Sequence, residues 1–441
     1  MITKIRFKFE LFFYYIKRNW LYLLSGLILG IILVTFRQQL LSFYLKINRP
    51  LEKIGLEGLY TVNNLPNDIT NKISYGLTVN TENNKFETSP LVKNLDIRQD
   101  NTQYIFELNP DIKWHKGKPF VSSDINYKIT GLSITFTDSQ HLTIKTEKPF
   151  APILSTLSLP LIKKDFDSLG EYQVDRFDYQ DGNIKDLYLK SSDNSILYRF
   201  YQNETDLLNA FKIGEVNQIQ LSTIPKNFDN WPKIDITKNI RTDQKYIALF
   251  INTAKLGNKQ LRQALAYATP KTTDLNERTI SPISPTSWAY NPQVKNYAFN
   301  PEKAKEFFSK NRIESIELTY NDRRLVEIAD NIKKNWEEIL GIQVNAHIST
   351  QIDTQNYDII LAYGSIPTDP DQYLFWHSTQ LKTNLTKINN PKIDKLLEDG
   401  RQTFDQQERK KIYQEFQKDL LEECPAIFLK YPTLYTITRN N

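Results

Sequence analysis

The residues best equipped for chemistry are scattered along these 441 residues rather than grouped. His115, His141, His347 and His377 lie far apart in sequence, and each reads as an ordinary surface or core residue. The one cysteine, Cys424, excludes an intramolecular disulfide, and no Cys-x-x-Cys or Cys/His cluster offers a metal site. Carboxylates are plentiful, yet no two stand out as a general acid and base. Neither Gly-x-Ser-x-Gly, nor His-Glu-x-x-His, nor a phosphate-cradling Gly-rich loop occurs. Catalysis is therefore the minority reading, the chain is expected not to be an enzyme, and no cofactor is expected.

The composition is that of a globular protein, 40% hydrophobic and 24% charged, with room for two lobes and an anchor. The net charge is +5, but Lys4, Arg6, Lys8, Lys17 and Arg18 stand against Glu10 alone in the first eighteen residues. The remainder is nearly neutral and lacks the basic stripe that phosphate neutralisation needs, so nucleic-acid binding is not expected. Trp20 to Phe36 is an uncharged apolar run of seventeen residues, at the lower limit for spanning a bilayer of about 30 Å. Phe12, Phe13, Tyr14, Tyr15 and Trp20 suit an interfacial belt. Val34-Thr35-Phe36-Arg37 offers no small-residue cleavage site, which favours an uncleaved N-terminal transmembrane helix.

The elements that must position any site are clearest between Gln103 and Ile125. Tyr104, Phe106 and Leu108 alternate with polar neighbours as a strand with one buried face. Lys116-Gly117-Lys118-Pro119 forms a turn after Trp114, and Ser122, Ser123 and Asp124 offer caps for a helix start. Ile316, Leu318 and Tyr320 alternate as a second strand. Leu325, Ile328, Ile332, Trp336 and Ile339 recur at helical spacing, Gly341 stops that helix, and Val344, Ala346 and Ile348 alternate again. This strand, helix and strand make a βαβ unit, so its lobe should hold parallel strands. Asp358 to Tyr363 supplies a further buried strand, and Asp405-Gln406-Gln407-Glu408 is a capping-box start for another helix.

The strand, turn and cap from Gln103 to Ile125 resemble the hallmark of family 5 extracellular solute-binding proteins, the oligopeptide-, dipeptide- and nickel-binding receptors of ABC importers. Further matches follow in the family's order: Leu56-Glu57-Gly58-Leu59-Tyr60, Lys148-Pro149-Phe150-Ala151-Pro152, Thr205 to Val216, Tyr246 to Thr253 and Leu261 to Ala268. Glu171, Asn217 and Thr269 depart from the usual residues. The resemblance runs from about Leu56 to Tyr435. It implies an α/β, two-lobed periplasmic-binding-protein-like fold of class II type, in the large family 5 variant, behind the N-terminal transmembrane helix. Residues 1–45 would be the cytoplasmic start and anchor, 46–244 lobe I, completed by 425–441, and 245–424 lobe II. Thr205 to Val216 would form a helix and turn crossing between lobes.

By the same resemblance, ligand lies in an interlobe cleft lined by Leu59 to Asn63 and by the loop Gly364-Ser365-Ile366-Pro367-Thr368-Asp369-Pro370. Tyr60 and Tyr363 are the expected aromatic contacts, with Trp288, Tyr290 and Trp376 as further ones, Asp369 as a hydrogen-bonding group, and Gly364, Ser365 and Ile366 as loop contacts. Peptide-binding members place an aspartate where Ile366 stands and an arginine where Ile360 stands. Without those charges a zwitterionic dipeptide is a poor candidate, because a buried ammonium needs a carboxylate. The implied partners are a peptide or similar small solute, an ABC permease and the membrane. The alternative is a surface protein of the same fold that has lost its ligand chemistry and serves as a sensor, assembly or adhesion module.

Overall fold

Alternating apolar residues build two large sheets and two small ones, and the chain passes between the large ones twice. The computed structural model describes residues 51–440 except 82–84, 227, 229–230, 232, 350, 352 and 355, together with 14–22, 24–26, 30 and 34–37. The run Trp20 to Phe36 thus falls partly outside the described residues, and among those described no helix is long and apolar enough to cross a membrane.

The first lobe holds a seven-stranded sheet in the order Ile234–Ile240, Thr433–Arg439, Gln218–Leu221, Leu51–Glu57, Ser195–Tyr201, Asn183–Lys190 and Gln173–Gln180. Leu51–Glu57 runs parallel to both of its neighbours. Its consecutive residues face opposite layers. Ile54 packs with Ile69 and Ile73 of the helix Asn67–Ile73, whereas Gly55 turns towards the helix Glu204–Ile213. A Cβ on Gly55 would lie 2.6 Å from Leu207 Cδ1, so only glycine lets that helix sit so close to the sheet. This helix links two strands of one sheet and does not cross between lobes, because Leu207, Ala210 and Phe211 bury against Ile219, Leu221 and Ile437.

A four-stranded antiparallel sheet, Val92–Arg98, Gln103–Leu108, His141–Thr146 and Leu132–Phe136, extends the first lobe. Tyr104, Phe106 and Leu108 fill its core as the alternation predicts. Trp114 is buried there, donating from Nε1 to Asp124 Oδ2 at 2.8 Å, while Lys163 Nζ lies 3.9 Å from its ring centroid and 3.1 Å from Asp124 Oδ1. The expected helix after Ser122-Ser123-Asp124 stops at a single 3₁₀ turn. Asp124 spends its carboxylate on Trp114 and the Val121 N–H, and the chain soon reaches Gly131 at φ 83°, a left-handed turn.

The second lobe holds a five-stranded sheet, Gln343–Ile348, Ser315–Tyr320, Ile359–Ser365, Lys245–Ile251 and Ala426–Lys430. The first three strands are parallel, with the helix Val326–Leu340 between the first two in sequence and Gly341 in the left-handed region at its end, as the βαβ pattern requires. The expected return to lobe I at 425 needs correction. Ala426–Lys430 pairs with Lys245–Ile251, burying Ile427 and Leu429 on one face and Ala426 and Phe428 on the other, so the chain returns only at 431–432.

The two crossings, 241–244 and 431–432, are braced by contacts between lobes. Lys238 Nζ lies 2.8 Å from Glu277 and 3.0 Å from Asp274, and Arg241 and Gln244 both donate to Asp68, at 3.0 and 3.1 Å. Away from the crossings, the Ala151 N–H donates to the Arg401 carbonyl at 2.7 Å, and the Arg401 guanidinium lies 5.4 Å from the Phe150 ring centroid.

Candidate functional site

Each large sheet ends its parallel strands at the same place. In the first lobe, Leu51–Glu57 leads into Tyr60, and Ser195–Tyr201 leads into Glu204 at the start of a helix. In the second, Ser315–Tyr320 leads into Asp322 and Arg324, and Ile359–Ser365 carries Tyr363 at its own end. Carboxyl ends of parallel strands are the usual place for a ligand crevice in open α/β sheets. The two ends face each other: the Arg324 charge acts on the Tyr60 hydroxyl and on the Glu57 and Glu204 carboxylates of the opposite lobe.

Tyr60 is held by its own loop. Its hydroxyl donates to the Glu57 carbonyl at 3.1 Å, its ring centroid is 4.8 Å from that of Phe200, and its carbonyl accepts from the Ile184 N–H at 2.7 Å. Burial pushes its pKa up, with Arg324 opposing and Glu57 adding. Tyr363 is likewise half-buried and pushed up by burial, against the pull of Arg324. Lys245 Nζ stands 5.0 Å from the Tyr363 ring centroid and the Arg324 guanidinium 6.0 Å. Two cations over one ring form a polar, aromatic wall.

The charges on that wall are unequally satisfied. Asp322 accepts from Arg324 Nε at 2.9 Å and caps the Arg324 N–H at 2.9 Å, which raises the guanidinium pKa further. Lys245, at the start of its strand and opposite Ser365, pairs with no carboxylate among the described residues. Its side chain reaches water, but the surrounding protein limits hydration and pushes its pKa down, with Arg324 and Arg241 adding and Asp322 opposing. Across the gap, burial and the neighbouring Glu57 push the Glu204 carboxyl up, with Arg324 opposing.

Against known proteins, residues 88–384 match the model of the bacterial extracellular solute-binding proteins, family 5. The chain belongs to that family. It is 24% identical over 276 residues to the oligopeptide-binding protein AppA of Bacillus subtilis, covering 54% of this chain and 51% of the relative. It is 24% identical over 224 residues to the dipeptide-binding protein of Escherichia coli, covering 44% and 41%. The chain thus spans about half the length of the curated relatives it matches, and those relatives are binding proteins. Among solved structures it resembles NikZ from Campylobacter jejuni in complex with Ni(L-His), with a TM-score of 0.73 at 22% identity over 88% of this chain and 94% of NikZ. It also resembles B. subtilis AppA in complex with a nonapeptide, with a TM-score of 0.72 at 18% identity over 89% and 95%. These likenesses establish the mixed α/β, two-lobed periplasmic-binding-protein-like fold.

In this family 5 protein the residues singled out from sequence separate into two groups. Tyr60 and Tyr363 come to the facing strand ends, and Ser365 is exposed beside Lys245. Gly364 is spent on packing: a Cβ there would lie 2.2 Å from Tyr246 Cζ. Ile366 leans on the core of lobe II while its N–H donates to the Gln244 carbonyl at 2.8 Å. Asp369, expected as a hydrogen-bonding group for ligand, is corrected: it is 8% exposed and its two oxygens accept from Arg409 Nη1 and Nη2 at 2.7 and 2.6 Å. Trp376 is also corrected. It is 1% exposed, donates to Gln372 Oε1 at 3.1 Å, and packs on Phe250 and Phe428. Trp288 and Tyr290 pack against the helix Gln406–Glu423, where Tyr413 lies 6.4 Å from the Trp288 ring and Gln414 donates to the Tyr290 carbonyl at 3.4 Å.

Five charged residues of the facing ends escaped sequence reasoning: Glu57, Glu204, Lys245, Asp322 and Arg324. Asp322 and Arg324 were findable, since they follow a legible strand and open a legible helix, the position where a βαβ unit presents ligand-facing groups.

Proposed function

We propose that this chain is the solute-capturing receptor of an ABC importer, taking a peptide or similar small solute between its lobes and passing it to a membrane permease. One observation carries the reading: two tyrosines and a set of incompletely paired charges stand on opposite lobes, around the carboxyl ends of the parallel strands and the start of the strand beside them. The named complexes of its structural relatives, with a nonapeptide and with Ni(L-His), frame the choice of guest. Peptide is favoured. Aromatic faces and both signs of charge suit a peptide's planes and ends, whereas His115 is spent between Ser168 and Gly170, and His377 stacks on Tyr373 inside lobe II.

The apolar run Trp20 to Phe36 would hold the receptor at the membrane as a single-pass anchor, with the body on the extracellular or periplasmic side. In its favour, residues 14–22 are helical, and Trp20, Leu21, Tyr22, Leu24 and Val34 are exposed rather than packed on the body. Protease protection in cells tests the orientation; a protected body would overturn it.

A second reading, a surface protein of this fold without ligand chemistry, draws on Ile360, which is fully buried where peptide-binding members carry arginine, and on Asp369, which is consumed by Arg409. Thermal unfolding of the full chain in mild detergent with pooled peptides decides between them. Ligand at a hundredfold excess over Kd adds about 2.7 kcal/mol to the folded state. A raised Tm supports the receptor; an unchanged Tm at millimolar peptide favours the second reading.

A further inference from the structure

We infer that the solute captured between the lobes presents a carboxylate to Lys245, so that the cleft selects free acids over their neutral counterparts. This rests on the receptor reading above and adds the chemistry of its guest. The strand Lys245–Ile251 begins where Ile359–Ser365 ends, so Lys245 stands across from Ser365 and diagonal to Tyr363 on the same face of the sheet. The other cations nearby are spoken for. Arg324 is wrapped on Asp322, and Arg241 reaches Asp68 at 3.0 Å and Asp243 at 3.7 Å. Among the described residues Lys245 makes no ion pair; it faces the cleft beside the Tyr363 ring, in a positive field of Arg324 and Arg241 that Asp322 offsets only in part. An ammonium that is partly stripped of water and pressed by like charges gains most from an incoming anion.

The opposite wall fixes the direction. Glu57 and Glu204 lie on lobe I, and burial together with the neighbouring Glu57 charge raises the Glu204 carboxyl against the pull of Arg324, so this wall disfavours a further anion. The carboxylate therefore goes to lobe II, and a cationic or hydrogen-bond-donating end goes to lobe I. The amino end of the fifteen-residue helix Val326–Leu340 starts beside Arg324 and adds its positive end to the same side.

The test uses the full chain, a randomised tetrapeptide pool with free carboxyl termini, and the same pool amidated, with binding read by thermal shift and by calorimetric titration. Wild type should bind the free-acid pool about tenfold or more tightly than the amidated pool, the usual worth of a charge-assisted hydrogen bond. Lys245→Gln should abolish that preference by weakening the free-acid pool alone, and Lys245→Arg should retain it. Equal binding of both pools by wild type, or an undiminished preference in Lys245→Gln, overturns the inference and leaves the receptor reading standing. Binding of neither pool contradicts the receptor reading for peptides and the inference with it.

Discussion

Two charged groups of the second lobe have opposite surroundings. Asp369 and Arg409 are both buried, and their paired oxygens and nitrogens meet at 2.6 and 2.7 Å, with Arg409 Nε also donating to the Gly400 carbonyl at 2.7 Å. Lys245 opens onto the cleft, touches a tyrosine face and pairs with no carboxylate among the described residues. A buried ion pair with its hydrogen bonds complete serves the fold, since either charge alone would be costly there. A charge left open in a crevice costs the fold little and is available to a guest. Ser365, paired with Lys245 at the cleft, stands only four positions before the buried Asp369, so proximity to the cleft in sequence does not assign a ligand role.

The sharpest way to break this contrast is to remove one charge from each region. Asp369→Asn should lower unfolding stability by about 3–5 kcal/mol, because Arg409 is left buried and unpaired. Lys245→Gln should change it by less than about 0.5 kcal/mol, as is usual away from packed features. Urea titrations of the two variants measure both, and similar losses would erase the distinction. Next in size, Gly364→Ala should cost about 1–3 kcal/mol, because the added methyl meets the buried Tyr246 ring in a filled core. A neutral Gly364→Ala would mean that the strand end is looser than its packing indicates and closer in character to the cleft.

The smallest expected effect is a pH dependence in the first lobe. Burial pushes His115 below the usual histidine range, against the opposing pull of the Gly170 carbonyl and Asp167. The folded protein then binds fewer protons than the unfolded chain, so stability is complete above the ordinary histidine value of about 6.5 and declines as pH falls through it towards the lowered folded value. Melting temperatures between pH 7.5 and 5 should show this slope in wild type, and His115→Gln should flatten it. An equal slope in both proteins would remove His115 from the account.

Much of the fold was legible because it follows from period alone. Tyr104, Phe106 and Leu108, and the strand, helix and strand from Ser315 to Ile348, declare themselves by alternation and by helical spacing, and both form as read. The resemblance carried the two-lobed plan and brought Tyr60 and Tyr363 together. What remained hidden depends on pairing between distant residues. Nothing in the local sequence of Asp369 announces Arg409, forty positions on, and nothing in Ala426 to Leu429 says which lobe's strand will accept it. The single 3₁₀ turn after Ser122 was missed for a related reason: Asp124 is a good cap by type, but Trp114 and Lys163 claim its carboxylate. The cleft charges were overlooked because lysines and glutamates are numerous, and only tertiary structure distinguishes the paired ones from those left open.

Capture between two lobes is tested most directly by the distance between them. Cys424 is buried, so cysteines introduced by Lys212→Cys on lobe I and Glu338→Cys on lobe II can carry spin labels without competition from an exposed native thiol. Pulsed electron-spin measurements with and without the free-acid peptide pool should show a broad distribution that narrows and shortens when peptide is added. A distribution unchanged by peptide at millimolar concentration would contradict the account.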